Sequence, residues 1–400
     1  MLKIGLIREE KIPADNRVAL TPEQCRWVQQ HMPEIKIIVQ HSPTRCFSDK
    51  EYKAMGIEVK EDLGECAILM GIKEVPKERL IAGKTYLFFS HTKKAQEHNR
   101  ALFKKIIEQK ITLIDYECLT HDDGQRILGF GFFAGIVGAH NGMMVYGNRT
   151  GRFHLGRVKD CKDYRTLIHT YFGLKLPPIK IAVTGSGRVA HGVLEIMNLM
   201  GIHEVEPFDY LHRSFDYPVY VHLKGRDLYI RKDDGTYNRE DFHNHPDEYK
   251  CLFEPFTRQT AILMNGIYWD KNVPPLFSVE CFQSPDFKIV SIADITNDKH
   301  GSISINCGDS TIEDPVYAVD KTTLQKVKAG SENAVDLMAV GNLPNELPRD
   351  ASRYFGEQLI KFVLEALVNG NSPFIERATL VKAGKLTPPF EYLSAYAQGN

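Results

Sequence analysis

The chain has 400 residues, enough for two domains, and its 43% hydrophobic and 25% charged residues are ordinary for a globular protein. A formal net charge of −1 lacks the basic excess of nucleic-acid-binding proteins, so no nucleic-acid partner is expected. The 8 cysteines include no C-x-x-C pair, which argues against a zinc ribbon or a disulfide framework and favours a cytoplasmic location. No apolar run reaches the roughly 18 residues of a membrane span, so no membrane partner is expected.

Short apolar strands alternate with amphipathic helices in the first part of the chain. The predicted strands are 3–7, 35–40, 66–72, 85–90 and 111–116, and the predicted helices are 22–32 and 94–110. This alternation is typical of a parallel sheet covered by helices on both faces, and it predicts an α/β fold. Residues 132–147 are apolar and rich in small residues, which predicts a helix that forms a rigid crossing between two domains.

A second alternating unit begins at residue 178. Residues 261–266 and 288–295 are predicted as buried strands, and the sequence from 354 to 370 predicts a helix. Before these strands, "YVHLKGRDLYIRKDDGTY" (220–237) alternates polar and apolar residues around Lys-Gly and Asp-Asp-Gly turns. This pattern predicts a β-hairpin inserted in the second domain.

The stretch "IAVTGSGRVAHG" places two glycines between a predicted strand and a predicted helix. Such glycines allow a tight turn and a close approach of the backbone to a pyrophosphate, which the helix N-terminus then faces. Ala190 stands in the third small position, where helix and strand pack closely. The pattern predicts a nicotinamide dinucleotide site, and the alternative is a glycine-rich turn without a ligand. The predicted cofactor-binding residues here are Gly185, Ser186, Gly187, Arg188 and Val189.

An acidic residue that binds the ribose hydroxyls is expected about 20 residues after the glycines. Glu204, Glu206 and Asp209 have this spacing, and Asp209 follows "EVEPF", where the second strand is predicted to end. A carboxylate there repels a 2′-phosphate and favours NAD, whereas the nearby Arg213 could have the opposite effect. The expected cofactor is therefore NAD or NADP, with NAD slightly favoured.

Several motifs together resemble one family. "REEKIPADNRVALTPEQ" resembles the opening of the alanine dehydrogenase and transhydrogenase α-subunit superfamily. "MGIKEVP", "YLFFSHTKKAQEHN", "GFGFFAGIVGAHNG" and "LPNELPRDASRYFG" are similar to the lysine-forming saccharopine dehydrogenases. They are most similar to the lysine–ketoglutarate reductase half of the bifunctional enzyme of animals and plants. The matches run in order from about residue 4 to about residue 356.

The resemblance implies two Rossmann-like domains with mostly parallel sheets and a cleft between them. The expected substrate domain comprises residues 1–147 and is rejoined by about 352–400, while residues 148–351 form the dinucleotide-binding domain. The family joins the ε-amine of L-lysine to 2-oxoglutarate and reduces the imine with NAD(P)H to give saccharopine, or runs the reverse reaction. The oligomeric state stays open.

The resemblance also implies roles for individual residues. Lys73 and His91 match the catalytic positions of the family, and Arg17 and Arg126 match arginines that hold substrate carboxylates. The remaining expected substrate-binding residues are Glu74, Lys94, Gln96, Glu117 and Asp294. No metal is expected, because His243 and His245 have the spacing of a ligand pair without an evident third ligand.

The chemistry of imine formation requires residues of these types. The imine forms and breaks through a carbinolamine, so protons move on and off nitrogen and oxygen, and histidine suits this near neutral pH. A lysine acts as a base only if its pKa falls, which burial at a strand end beside another cation can cause. Substrate carboxylates are held well by the guanidinium groups of arginine.

Each candidate also has a structural alternative. Lys73 could be a solvated strand end, Arg17 could pair with Glu9 or Glu10, and Glu117 could be one arm of a structural ion pair. Two rival functions stay open. One is another enzyme of the superfamily, similar to alanine dehydrogenase or to a carboxyethyl-amino-acid synthase. The other is an NAD(P)-binding regulatory protein without catalysis.

Overall fold

The structure is a computed structural model that describes residues 1–370 and 372–398. The strands are β1 (Leu2–Leu6), β2 (Ile35–Gln40), β3 (Glu58–Lys60), β4 (Ile68–Met70), β5 (Thr85–Phe88), β6 (Thr112–Asp115), β7 (Lys180–Thr184), β8 (His203–Glu204), β9 (Val219–Leu223), β10 (Tyr229–Arg231), β11 (Tyr249–Cys251), β12 (Ile262–Asn265), β13 (Ser291–Asp294), β14 (Val316–Asp320), β15 (Lys326–Val327), β16 (Ala334–Met338), β17 (Thr379–Lys382) and β18 (Lys385–Leu386).

The α-helices are α1 (Pro22–His31), α2 (Asp49–Ala54), α3 (Arg100–Glu108), α4 (Gly131–Thr150), α5 (Tyr164–His169), α6 (Arg188–Leu199), α7 (Pro207–His212), α8 (Arg239–Asn244), α9 (Val279–Gln283), α10 (Pro348–Gln358), α11 (Glu365–Asn369), α12 (Pro373–Ala378) and α13 (Ser394–Gln398). A π-helical segment, Leu359–Leu364, joins α10 to α11. Within the described residues, none of these helices is both long and apolar enough to cross a membrane.

The chain forms two compact units. The first comprises Met1–Phe130 and the chain from Pro348 onward, and the second comprises Gly131–Leu347. It stays a prediction that the substrate domain comprises residues 1–147 and 352–400, and that the dinucleotide-binding domain comprises residues 148–351.

The first unit is built on an eight-stranded sheet with the order β18-β17-β6-β5-β4-β1-β2-β3. The strands from β6 to β3 are parallel, and only β17 and β18 run antiparallel to their neighbours. Consecutive residues of the central strands are buried, as in Ile68–Met70 and Tyr86–Phe88. Burial on both faces explains why these strands are continuous apolar runs in the sequence.

The second unit contains an eight-stranded sheet of similar design, with the order β15-β14-β16-β13-β12-β7-β9-β8. Its strands are parallel from β8 to β16, and β14 and β15 are antiparallel. The strand that leads into the glycine turn, β7, therefore lies between β9 and β12 rather than beside the next strand in sequence, β8. This order determines which residues surround the glycine turn.

The predicted hairpin over 220–237 is wrong in its pairing. Residues 219–223 form β9, which pairs in parallel with β7 of the main sheet. The antiparallel pair in this region joins β10 to β11, and α8 lies in the connection between them. The prediction failed because a short central strand of a parallel sheet shows the same local alternation as one arm of a hairpin.

The predicted helix over 94–110 begins later than expected. Its α-helical part starts at Arg100, and a short 3-10 turn over Glu97–Asn99 precedes it. Ala95 has a positive φ of 52°, which interrupts a helix. Lys94 and Gln96 consequently lie on an irregular exposed segment.

Helices α4 and α6 of the second unit cross at a contact made of glycine. A side chain at Gly135 would overlap the carbonyl oxygen of Val189, and one at Gly192 would overlap that of Phe132. The small residues of the sequence 132–147 thus allow two helical backbones to approach each other closely.

We expect Gly135→Ala to destabilise the second unit by about 1–3 kcal/mol, because the added methyl group meets backbone that cannot move independently. The matched control is Gly156→Ala, where a methyl group would have no neighbour within 4 Å. Urea unfolding of both variants checks this. Equal stability of the two variants would contradict the close packing of α4 on α6.

Candidate active site

The candidate site of the first unit lies at the carboxyl ends of four adjacent parallel strands. Glu9 follows β1, Lys73 and Glu74 follow β4, His91 follows β5, and Glu117 follows β6. These strands are neighbours in the order β6-β5-β4-β1, so the segments that follow them emerge at one edge of the sheet. In parallel α/β sheets this edge is where ligands bind.

A hydrogen-bonded pair connects two of these segments. His91 Nδ1 donates to Glu74 Oε1 at 2.6 Å, and Lys11 Nζ donates to Glu74 Oε2 at 2.6 Å. Burial opposes ionisation of Glu74, but the bonds from His91 and Lys11 and the charge of His91 lower its pKa to about 2. The ionised carboxylate can only accept a hydrogen bond, so the single ring proton of a neutral His91 lies on Nδ1. Nε2 is then the basic nitrogen.

The backbone around His91 is also fixed. His91 has a positive φ of 50°, a conformation that is uncommon for a residue with a side chain. The side-chain amide of the buried Asn99 lies 3.4 Å from both the His91 carbonyl oxygen and Glu74 Oε1. Asn99 therefore holds both partners of the pair, and the unusual backbone conformation directs the imidazole towards Glu74.

The amine of Lys73 differs from the other charged groups of the site. Lys73 is half-buried, and among the described residues its Nζ has no hydrogen-bond or ion-pair partner. Burial, with a further contribution from Arg17, lowers the pKa of Lys73 from its ordinary value. The neutral amine that a base requires is therefore more accessible than in a solvated lysine.

Arg17 is held by a carboxylate that sequence reasoning missed. Arg17 is 3% exposed, and its Nε and Nη2 donate to Asp15 at 2.9 and 2.5 Å. Its guanidinium lies over the ring of Phe130, 4.1 Å from the centroid. The sequence had suggested Glu9 or Glu10 as the partner of Arg17, and the structure adds Asp15. Asp15 could have been found as the acidic residue two positions before Arg17.

A second buried carboxylate, Asp115, lies beside His91. Ser90 Oγ donates to Asp115, and Thr92 Oγ1 is 2.7 Å from Ser90 Oγ. Burial raises the pKa of Asp115 to about 6, against the effect of the Ser90 bond. The three residues form a fully buried polar group under the His91 segment. The sequence offered no signal for it except the polar residues at two strand ends.

The other predicted substrate-binding residues are distributed differently. Glu117 Oε1 accepts from Arg126 Nη2 at 2.5 Å, so these two predicted residues lie together. Lys94 and Gln96 have exposed side chains. Asp294 belongs to the second unit, where it is buried and accepts from Asn265 and Asn306 at 2.8 and 2.7 Å. Burial raises the pKa of Asp294 to about 6.

The glycine turn of the second unit has the shape that a phosphate group requires. Gly185 has a φ of 109°, and a Cβ there would lie 2.5 Å from the carbonyl oxygen of Gly266. Gly187 precedes α6, and a Cβ there would meet nothing within 4 Å. The segment therefore leaves open space at the start of a 12-residue helix, which fits a pyrophosphate. Ser186 is exposed, and Arg188 and Val189 begin α6.

The surroundings of this turn differ from those expected. Asp209 lies within α7 instead of at a strand end, and it pairs with Arg213 at 3.0 Å. The strand beside β7 is β9, whose His222 Nε2 lies 2.7 Å from the Gly185 carbonyl oxygen. Lys224 and Arg226, both exposed, follow this strand. The spacing rule pointed to Asp209 because it assumes that the next strand in the sequence lies beside β7. In this sheet that strand, β8, is only two residues long and takes the outer edge.

Comparison with known proteins shows what the chain is similar to. Residues 5–137 match the family described as alanine dehydrogenase/PNT, N-terminal domain. The chain is 31% identical to the mitochondrial alpha-aminoadipic semialdehyde synthase of Rattus norvegicus, over 98% of this chain and 47% of that protein. It is 24% identical to the NAD(+), L-lysine-forming saccharopine dehydrogenase of Yarrowia lipolytica, over 93% of this chain and 94% of that protein.

The chain is a homologue of these proteins. The resemblance predicted from the motifs is therefore confirmed, although the chain spans only about half the length of the semialdehyde synthases that it matches. A solved structure of L-alanine dehydrogenase has the same fold, with a TM-score of 0.68 at 14% identity, covering 99% of this chain and 100% of the other. The predicted α/β class with two mostly parallel sheets is confirmed.

We expect the Lys73 amine to titrate below the ordinary lysine value of about 10.4. Burial and the charge of Arg17 disfavour its charged form. The amine therefore loses its proton at a lower pH than a solvated lysine does. Acylation of the protein across a pH series, followed by mass spectrometry of the peptide that contains Lys73, measures the midpoint. Lys73→Met identifies the labelled peptide, and a midpoint at or above the ordinary value would contradict the expectation.

Proposed function

We propose that the protein reductively condenses L-lysine with 2-oxoglutarate to saccharopine, with NADH or NADPH as the hydride donor, or catalyses the reverse reaction. The observation that carries this proposal is the Glu74–His91 pair, bonded at 2.6 Å, in which Glu74 follows Lys73 directly on the segment after β4. Among the residues that the structure describes, the Lys73 amine has no hydrogen-bond or ion-pair partner. The similarity to the L-lysine-forming saccharopine dehydrogenase of Yarrowia lipolytica supports L-lysine and saccharopine as reactants. The 8 cysteines, all free, suit the cytoplasmic location that we also propose.

The reaction requires proton transfer at nitrogen and oxygen. The ε-amine of lysine attacks the carbonyl carbon of 2-oxoglutarate, and the resulting carbinolamine loses water to form an imine. His91 Nε2 moves the proton between the carbinolamine oxygen and solvent, because Nδ1 is occupied by Glu74. The ionised Glu74 stabilises the imidazolium that forms during this step.

Lys73 supplies a second proton-transfer group. The substrate amine is a cation in water and becomes a nucleophile only after it loses a proton. Lys73, whose pKa is lowered by burial and by Arg17, accepts this proton, and the neighbouring Glu74 carboxylate stabilises the lysine cation that results. In the reverse direction Lys73 returns the proton to the leaving amine.

The remaining residues of the first unit recognise the substrate. The exposed Arg126, oriented by Glu117, binds a carboxylate of 2-oxoglutarate. Arg17, oriented by Asp15, contributes positive charge beside Lys73 and attracts a second carboxylate. The exposed Lys94 and Gln96 contact the ends of the substrate. Asp294, which belongs to the second unit, is a further substrate-binding residue.

The second unit holds the dinucleotide. Gly185, Ser186 and Gly187 would hold the pyrophosphate, and Arg188 and Val189 at the start of α6 would offer backbone N–H donors to it. The bound dinucleotide supplies the hydride that reduces the imine carbon. The positive φ of Gly185 and the open space at Gly187 support this assignment.

We expect oxidation of NADH or NADPH only when 2-oxoglutarate and L-lysine are both present. Loss of nicotinamide absorbance with each substrate alone and with the pair measures this. Turnover with pyruvate and ammonia, or with pyruvate and an amino acid, would instead indicate an enzyme similar to alanine dehydrogenase or to a carboxyethyl-amino-acid synthase. Cofactor binding without turnover of any pair would favour the regulatory protein.

We expect Lys73→Met and His91→Gln each to lower kcat at least about 100-fold, because each removes a proton-transfer group. Dinucleotide binding should stay unchanged, since both residues belong to the first unit. Lys104→Met, which removes an exposed lysine of the same unit, is the matched control. Wild-type turnover by Lys73→Met would refute the role of this amine.

We expect the end of β9 to admit a 2′-phosphate, because Lys224 and Arg226 follow the strand beside the glycine turn. Replacing both by alanine should weaken NADPH binding about tenfold or more and change NADH binding little. Calorimetric titration with each dinucleotide measures the two affinities. Arg213→Ala, next to α7, is the control, and an equal effect of the double variant on both dinucleotides would contradict the expectation.

A further inference from the structure

A carboxylate outside the predicted site holds the segment that carries Lys73. Glu9 Oε1 accepts from the backbone N–H of Ile72 at 2.6 Å, and Glu9 Oε2 accepts from the backbone N–H of Lys73 at 2.9 Å. The two oxygens of one side chain thus bind two consecutive peptide groups. Neither the sequence motifs nor the proposed chemistry assigns a role to Glu9.

These bonds replace strand pairing at the point where it stops. The backbone N–H of Ile7 donates to Met70 at 2.9 Å, and among the described residues this is the last backbone bond from the β1 side to the segment after β4. On the other side, Gly71 and Ile72 still bond to the β5 segment through Leu87 and Phe89. The side chain of Glu9 therefore continues the hydrogen bonding of the missing strand on the β1 side.

The space for this contact depends on Gly71. A Cβ at Gly71 would lie 3.2 Å from Glu9 Oε1 and 2.8 Å from Ile7 Cδ1. The glycine therefore leaves room for the carboxylate to reach the next two N–H groups. Two bonds to adjacent peptide groups restrain both the position and the rotation of the backbone that leads into Lys73.

We propose that Glu9 is a positioning residue that fixes the backbone of Lys73, so that its amine is directed at the reacting centre. The effect of Glu9 on catalysis rests on the proposed function, whereas its contact with the backbone does not. A displacement of about 1 Å in such a group can reduce a rate by as much as about 100-fold. The backbone restraint thus acts on kcat more than on substrate binding.

The charge of Glu9 adds a pH dependence to this restraint. The groups that face it are Asp15 and Arg17 from the loop after β1, Lys73 from the segment after β4, and Tyr116 from the segment after β6. Burial and the charge of Asp15 raise the pKa of Glu9 to about 8, while the two N–H bonds and Arg17 oppose this. A protonated carboxyl accepts two N–H bonds less well, so the restraint weakens as the pH falls through this value.

The test compares Glu9→Gln with the matched control Glu10→Gln, whose carboxylate pairs with Arg8 at 3.1 Å instead. Glutamine keeps one acceptor oxygen but presents its amide NH2, which is a donor, to the other backbone N–H group. We expect kcat to fall roughly 10- to 100-fold in Glu9→Gln, with KM for both substrates within about threefold of wild type. The part of the pH dependence of kcat that is centred near pH 8 should also disappear in this variant, while the part due to Lys73 and His91 stays. Glu10→Gln should behave as wild type in each measurement.

Amide hydrogen exchange separates this inference from the proposed function. Exchange at Ile72 and Lys73 should be about tenfold faster in Glu9→Gln, as loss of a hydrogen bond predicts, and unchanged in Glu10→Gln. If the wild-type protein lacks turnover with lysine and 2-oxoglutarate, the proposed function fails, and exchange alone decides the contact. Should Glu9→Gln not fold, the protection of these two amides in the wild-type protein is measured across pH and should fall below pH 8. Wild-type kcat and wild-type exchange in Glu9→Gln would overturn the inference.

Discussion

The hydrogen bond from His91 Nδ1 to Glu74 Oε1, 2.6 Å long, is the interaction on which the rest of the candidate site depends. It follows directly from the pairing of β4 with β5. Met70 pairs with Leu87 in this parallel register, and Glu74 and His91 each lie four residues further along their segments. A shift of one residue in the register would separate the two side chains. The sheet therefore sets both the ionisation of Glu74 and the orientation of the imidazole.

Several buried charged groups around this pair have hydrogen-bond partners. Asp15 binds Arg17, Ser90 binds Asp115, and backbone N–H groups bind Glu9. Such partners are required because an unpaired buried charge is costly. Among the described residues of this strand edge, the half-buried Lys73 amine has no such partner. Burial and the charge of Arg17 lower its pKa. A group that the fold leaves unpaired is available to a substrate, and this makes Lys73 the chemical centre of the account.

Much of the fold and part of the site were predictable from the sequence. Buried strands such as 35–40 have continuous apolar runs, and the prediction for this strand agrees with β2 in both bounds. Lys73 and His91 were identified because the motifs that carry them resemble those of the family, and both residues follow apolar runs. Ser90 and Asp115 were missed because their contact joins the ends of two strands, which local patterns do not encode. Asp15 was missed although its partner, Arg17, is only two residues away. Asp209 and the hairpin were misplaced for a related reason, since the position of β9 between β7 and β8 is a property of strand order.

The central claim is that the edge bearing Lys73 and His91 binds the reacting nitrogen. A crystal structure of the protein with saccharopine bound tests this most directly. We predict that the secondary amine of saccharopine lies within hydrogen-bonding distance of Lys73 Nζ or His91 Nε2, with a carboxylate near Arg126. Saccharopine bound elsewhere, with neither Lys73 nor His91 in contact, would contradict it.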